Sequence, residues 1–102
     1  MQYRQGDVLI ESVLEIPAAT RAVPRENGAI VLAHGEATGH AHRIANRVAR
    51  FLETGDGARY LDLPTRARVV HPEHGAVTLP PGSYRVSRQV EYTPQEVRNV
   101  AD

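Results

Sequence analysis

The sequence predicts a small all-β domain, a barrel or a sandwich, ending in a short C-terminal helical turn. Three observations carry that expectation. Short runs of Val, Leu, Ile and Ala recur along the chain, and each is closed by Gly or Pro. The last long run, residues 82–92, alternates apolar and polar side chains at a period of two. The 102 residues suit one domain, spanning 1–102, whose core must be aliphatic because aromatics make up only 5%.

Taken in order, Gly6-Asp7 leads into a β-rich run from Val8 to Leu14, closed by Pro17. A loop bearing Pro and Arg follows, from Pro17 to Gly28. The apolar run from Ala29 to Ala33 reads as a buried strand. Residues 40–46 and 48–53 are two further strands. Thr54-Gly55-Asp56-Gly57 is a strong turn signal, so 48–53 and 58–63 should form a hairpin. Residues 67–71, 76–79 and 82–92 complete the set. In the last of these, Tyr84, Val86, Val90 and Tyr92 share one face, with Arg85, Ser87, Gln89 and Glu91 on the other. Arg88 breaks the apolar face, either as a stem lying over apolar surface or as a guanidinium pointing into a cavity. Thr93-Pro94-Gln95-Glu96 is a capping box with Pro at the first helical position, which predicts the terminal turn.

The charge is balanced, 12 basic against 12 acidic residues, which gives no bulk attraction toward nucleic acid or an anionic membrane. All the basic residues are Arg. A GC-rich coding bias explains that, and so does selection for the planar fork that grips phosphate and carboxylate. With no Cys, disulfides, thiolate zinc sites and cysteine nucleophiles are excluded. The first residues, Met1 to Asp7, lack the apolar core of a signal peptide, and no apolar run reaches spanning length, which predicts a soluble cytoplasmic protein.

All five histidines lie between residues 34 and 74. On a strand over 40–46, His40 and His42 project from one face, where two imidazoles can share a metal. Gly35 and Gly39 bracket a loop able to return Glu36 or His34 toward that face. In His71-Pro72-Glu73-His74, Pro72 stiffens a turn that can set His71 and His74 on one side. If the two motifs meet, His40, His42 and His74 are the candidate ligands of a divalent metal (Zn, Mn or Fe). His71 or Glu36 would complete the shell, and Glu73 or Glu36 would act as base to a metal-bound water. Arg43, Gln89 and Arg88 are the candidate substrate contacts.

Gly35 followed by His40-Ala41-His42, together with the Pro-x-Gly turn in Leu79-Pro80-Pro81-Gly82-Ser83-Tyr84, resembles the two motifs of the cupin barrels. The Gly-to-His spacing is one residue shorter here and no His follows Gly82, so the resemblance implies a small β-barrel and not the cupin ligand set. The chain as a whole resembles a group of small, uncharacterised bacterial proteins. The likeness is carried by Gly-Asp-Val-Leu (6–9), Gly-Glu-Ala-Thr-Gly-His-Ala-His (35–42), His-Pro-Glu-His (71–74) and the run from Gly82 to Tyr92.

Three functions compete. The first is a metal-dependent enzyme, a hydrolase or cupin-like, acting on a small molecule. The second is a metal-independent ribonuclease, with imidazoles as general base and acid and Arg43, Arg85 or Arg88 holding the phosphate beside Tyr84 and Tyr92. Its neutral charge argues against strong RNA binding. The third is a non-catalytic interaction module, with a homo-oligomer among its forms.

Overall fold

The structure, a computed structural model, describes residues 1–35, 39–92 and 97–99, with 90–92 and 97–99 described through their backbone alone. Every regular element among the described residues is a strand, and no helix there is long and apolar enough to cross a membrane. The capping box at 93–96 and Glu36 lie outside the described residues.

The strands are β1 (Gln2–Gln5), β2 (Val8–Ser12), β3 (Thr20–Ala22), β4 (Ile30–His34), β5 (Ala41–Ile44) and β6 (Arg50–Thr54). They continue with β7 (Arg59–Leu63), β8 (Ala67–Val69), β9 (Val77–Leu79), β10 (Gly82–Arg88), β11 (Val90–Tyr92) and β12 (Val97–Asn99). Six of them form an antiparallel sheet in the order β1-β2-β10-β7-β6-β3. The pairs β4-β5, β8-β9 and β11-β12 form separate two-stranded sheets. The fold is all-β as the periodicity predicts, but the large sheet keeps two free edges, β1 and β3, and no barrel closes.

The expected hairpin is present as β6 and β7, registered so that Phe51 faces Leu61. The Tyr84/Val86 face of β10 is buried and lies in register with Ile10 on β2 and Leu61 on β7. Ile30, Leu32, Ile44, Val69 and Leu79 from the small sheets join that face to make the core. The expected strand 82–92 splits at Gln89, whose N–H donates to the Asp7 carbonyl at 2.8 Å and so carries the β2–β10 register one rung past Arg88.

Three strands fall where the sequence reading has none, among them β12 (Val97–Asn99) at the C-terminal end. Another is β3, inside the expected 17–28 loop, held on the sheet edge by an Arg21–Glu53 ion pair of 2.9 Å. The rest of that loop is fixed by Arg25, which donates to the carbonyls of Gly28, Asn46 and Ala49 at 3.1, 2.7 and 2.9 Å. The third is β1, a polar strand that turns its Tyr3 and Gln5 positions onto the inner face opposite Ile10 and Val8.

A two-residue turn, Gly6-Asp7, joins β1 to β2. Gly6 has φ 59°, the left-handed conformation that the first position of such a tight hairpin turn demands. The turn tips Asp7 into the interior, where it is fully buried. Gly6→Ala places a Cβ in that conformation and should cost roughly 1–2 kcal/mol. Urea unfolding of the variant beside the wild type checks this, and an unchanged midpoint would show that the turn does not depend on Gly6.

Candidate functional site

The two histidine motifs meet because of one backbone register. Arg43 and Val70 form an antiparallel bridge with reciprocal hydrogen bonds, Arg43 N–H to Val70 O at 3.0 Å and Val70 N–H to Arg43 O at 2.9 Å. Extending that register by one residue sets His42 opposite His71, and by three sets His40 opposite Glu73. The side chains follow it. The His42 and His71 rings are 4.4 Å apart, and His40 Nε2 lies 2.8 Å from Glu73 Oε1. The turn 72–75 then folds His74 against both, 4.5 Å from His71 and 6.2 Å from His42 with near-parallel rings. A hydrogen bond from Gly35 N–H to the His40 carbonyl closes the loop that leads into β5.

Burial is graded through the cluster. His42 is fully buried and His71 nearly so, while His40 and His74 are half-buried. Two residues that the sequence reading passed over, Gln5 and Asp7, sit beneath His42, both buried.

Gln5 fixes the state of His42. Its Nε2 donates to the carbonyls of Val69 and Gly75, both at 3.0 Å, so its Oε1 must be the atom that faces His42 Nδ1 at 2.8 Å. An amide oxygen only accepts, so the hydrogen-bond network assigns the His42 proton to Nδ1 and leaves a lone pair on Nε2. Burial, followed by repulsion from His71, holds the His42 pKa down at about 4 against an ordinary 6.5, and the nearby Asp7 opposes them. His42 is therefore neutral at pH 7.

Asp7 supplies the other half. Arg88 donates to its Oδ2 through Nε at 2.9 Å and Nη2 at 2.8 Å. Its Oδ1 stands 3.7 Å from His42 Nε2, and neither atom has a hydrogen-bond partner among the described residues. Two buried acceptors thus face each other. That arrangement leaves each uncompensated and is stabilised only by something positive or proton-bearing between them.

His71 differs. Its Nδ1 accepts the Glu73 N–H at 3.0 Å, so the proton of the neutral ring belongs on Nε2. Among the described residues, no group of three His, Asp or Glu side chains stands ready to hold a metal ion.

A family model described as "Domain of unknown function (DUF8820)" matches residues 4–89. The chain belongs to that family. The DUF8820 match runs from β1 to just past β10 and takes in all five histidines together with Gln5, Asp7 and Arg88. No curated protein and no solved structure matches the chain.

Within this DUF8820 domain the remaining candidates separate. Arg88, for which the sequence left two readings open, places its guanidinium on buried Asp7. Gln89 joins the same corner through its backbone N–H. Arg43 lies on the opposite face of β5 from His42, where it lines a notch of about 260 Å³ with Ala41, Val70, His71 and Pro72. His34 lies outside the cluster, paired with Glu26 at 3.0 Å. The missed residues carried a faint signal. Asp7 follows Gly in what reads as an ordinary turn, and Gln5 ends a strand too polar to show as one.

A histidine held neutral by burial makes stability depend on pH with a definite sign. The folded pKa of about 4 lies below the unfolded 6.5, so the unfolded chain binds the extra proton between those values. His42 thus destabilises the fold as pH falls from 6.5 to about 4, by a total on the order of 3 kcal/mol, and changes nothing further below that. Chemical denaturation of chelator-treated protein at pH 7.0, 5.5 and 4.5 reads this slope. His42→Gln should flatten it, and a wild-type slope retained in the variant would assign the effect to other groups.

Proposed function

We propose that the histidine cluster binds a divalent transition metal and that the protein is a metal-dependent enzyme of hydrolase type. The observation that carries this reading is the pair of facing acceptors, His42 Nε2 and Asp7 Oδ1, buried and 3.7 Å apart. Two donors on a tetrahedral zinc ion, each about 2.0–2.1 Å from it, stand roughly 3.4 Å apart, so a small shift brings this pair into a coordination shell. A proton would also satisfy both atoms, but burial disfavours that occupant at neutral pH. Gln5 on Nδ1 supplies the outer hydrogen bond that orients metal-binding imidazoles.

His74 is the third donor in this reading, since its ring packs against His71 within reach of His42. His71 holds its proton on Nε2 and suits proton handling better than ligation. The His40–Glu73 pair stands at the more exposed side of the cluster, where it can accept a proton from a reacting group. A bound metal would activate a water molecule there. With no cysteine in the chain, the donors on hand are imidazole nitrogens and carboxylate oxygens, which suit a site of this kind.

The ribonuclease reading has less support. His42 is sealed from solvent, and Arg43 points away from the buried imidazole.

Titration of chelator-treated protein with Zn(II) by calorimetry, and with Co(II) by visible absorption, tests the proposal. The expected result is about one ion per chain, with binding at least about tenfold weaker in Asp7→Asn and in His74→Gln and unchanged in His34→Gln. His74 is half-buried, so its variant keeps the test valid if Asp7→Asn fails to fold. No binding, or binding lost only in His34→Gln, overturns the metal site. A loaded protein that does not hydrolyse activated esters or phosphates overturns the enzyme and leaves the site standing.

A further inference from the structure

A cleft of about 560 Å³ opens between β4, the β6–β7 turn and the far end of β10, and none of the four clustered histidines lines it. Its apolar lining includes Val23, Val31 and Val86, and three arginines, Arg59, Arg85 and Arg88, are among its lining residues. The only carboxylate among its described lining residues, Glu26, is already paired with His34.

Two of the guanidiniums are held in place from behind. Arg88 spends Nε and Nη2 on buried Asp7, and its side chain is 35% exposed. Arg59 spends Nε on Glu53 at 2.9 Å and lies over the Phe51 ring at 5.5 Å. Each has further N–H groups beyond those used, and a fixed fork loses little freedom when it takes an anion. Arg85 adds a third positive charge from an exposed position. The backbone contributes as well. β10 pairs with β2 out to Arg88 but with β7 only to Val86, so Ser87 and Arg88 have no strand neighbour on the cleft side among the described residues.

We propose that this cleft binds a small organic anion, a carboxylate or phosphate group carried on an apolar body. The volume falls within the range of small-molecule sites, and an apolar surface edged by a few fixed polar groups is what such sites share. A long nucleic acid would need an extended basic surface, which the zero net charge does not provide. None of the four clustered histidines lines the cleft, and Arg88, through its bond to Asp7, is what the two proposed sites share, so anion binding is tested on metal-free protein.

The test is a titration of metal-free, ¹⁵N-labelled protein with benzoate and with phenylphosphate, using neutral benzamide as the matched control. The expected result is saturable amide shifts at Ala33, Ala58 and Ser87 for at least one of the anions, with benzamide about tenfold weaker or worse. Arg85→Gln should weaken the anion several-fold; Arg85 is exposed and its loss leaves the core intact. The tighter of the two anions identifies the head group. Equal binding of benzamide, shifts that never saturate, or shifts centred instead on Arg66, Arg68 and Thr78 would overturn the proposal.

Discussion

Gln5 sits where the six-stranded sheet, the β4–β5 pair and the β8–β9 pair come together, and its amide answers a demand from each. Its two N–H groups satisfy the carbonyls of Val69 and Gly75, and its oxygen takes the proton of His42. Each of these groups is removed from water, and a buried polar atom left alone costs about 1–3 kcal/mol. The β4–β5 and β8–β9 sheets share no ladder with the large one. A side chain able to donate twice and accept once is what holds them in a single register at this corner.

Around Gln5 the polar interior is built as a chain. Arg88 neutralises Asp7, Asp7 faces His42, His42 packs on His71, and His71 receives the Glu73 N–H while Glu73 pairs with His40. The chain runs from an arginine at the edge of one cleft, through the core, to a half-buried histidine on another surface. Its link between Asp7 Oδ1 and His42 Nε2 carries no hydrogen bond among the described residues. A buried network that is incomplete at one point is costly, and such points tend to be kept where a ligand or a reaction completes them. Arg88 borders the cleft and holds Asp7, and Asp7 faces His42, so the two proposed sites share this run of side chains.

The β-character of the chain is set by local pattern, and local pattern was enough to locate most of the strands. The alternation of Tyr84 and Val86 with Arg85 and Ser87 needs no partner to predict a half-buried strand, and Thr54-Gly55-Asp56-Gly57 marks its hairpin unaided. β3 escaped because three residues on a sheet edge, Thr20–Ala22, carry too little periodicity to stand out from a loop. β1 escaped because its inward positions include a polar one, Gln5, whose burial depends on partners 64 and 70 residues away. Barrel and sandwich stayed open alternatives for a similar reason, since closure depends on how edge strands pair and no strand encodes that alone.

What the sequence determined by itself was that His40 and His42 share a face, that His71 and His74 flank a stiff turn, and that Arg88 stands where an apolar residue belongs. These follow from side-chain alternation and from proline, which act over a few residues. That the two motifs touch was decided by tertiary structure, through the Arg43–Val70 bridge that aligns residues far apart in the chain. The same is true of the partners Gln5 and Asp7, and of the neutral state of His42. Burial and hydrogen bonding set that state, and both are properties of the assembled core, which no local stretch of sequence contains.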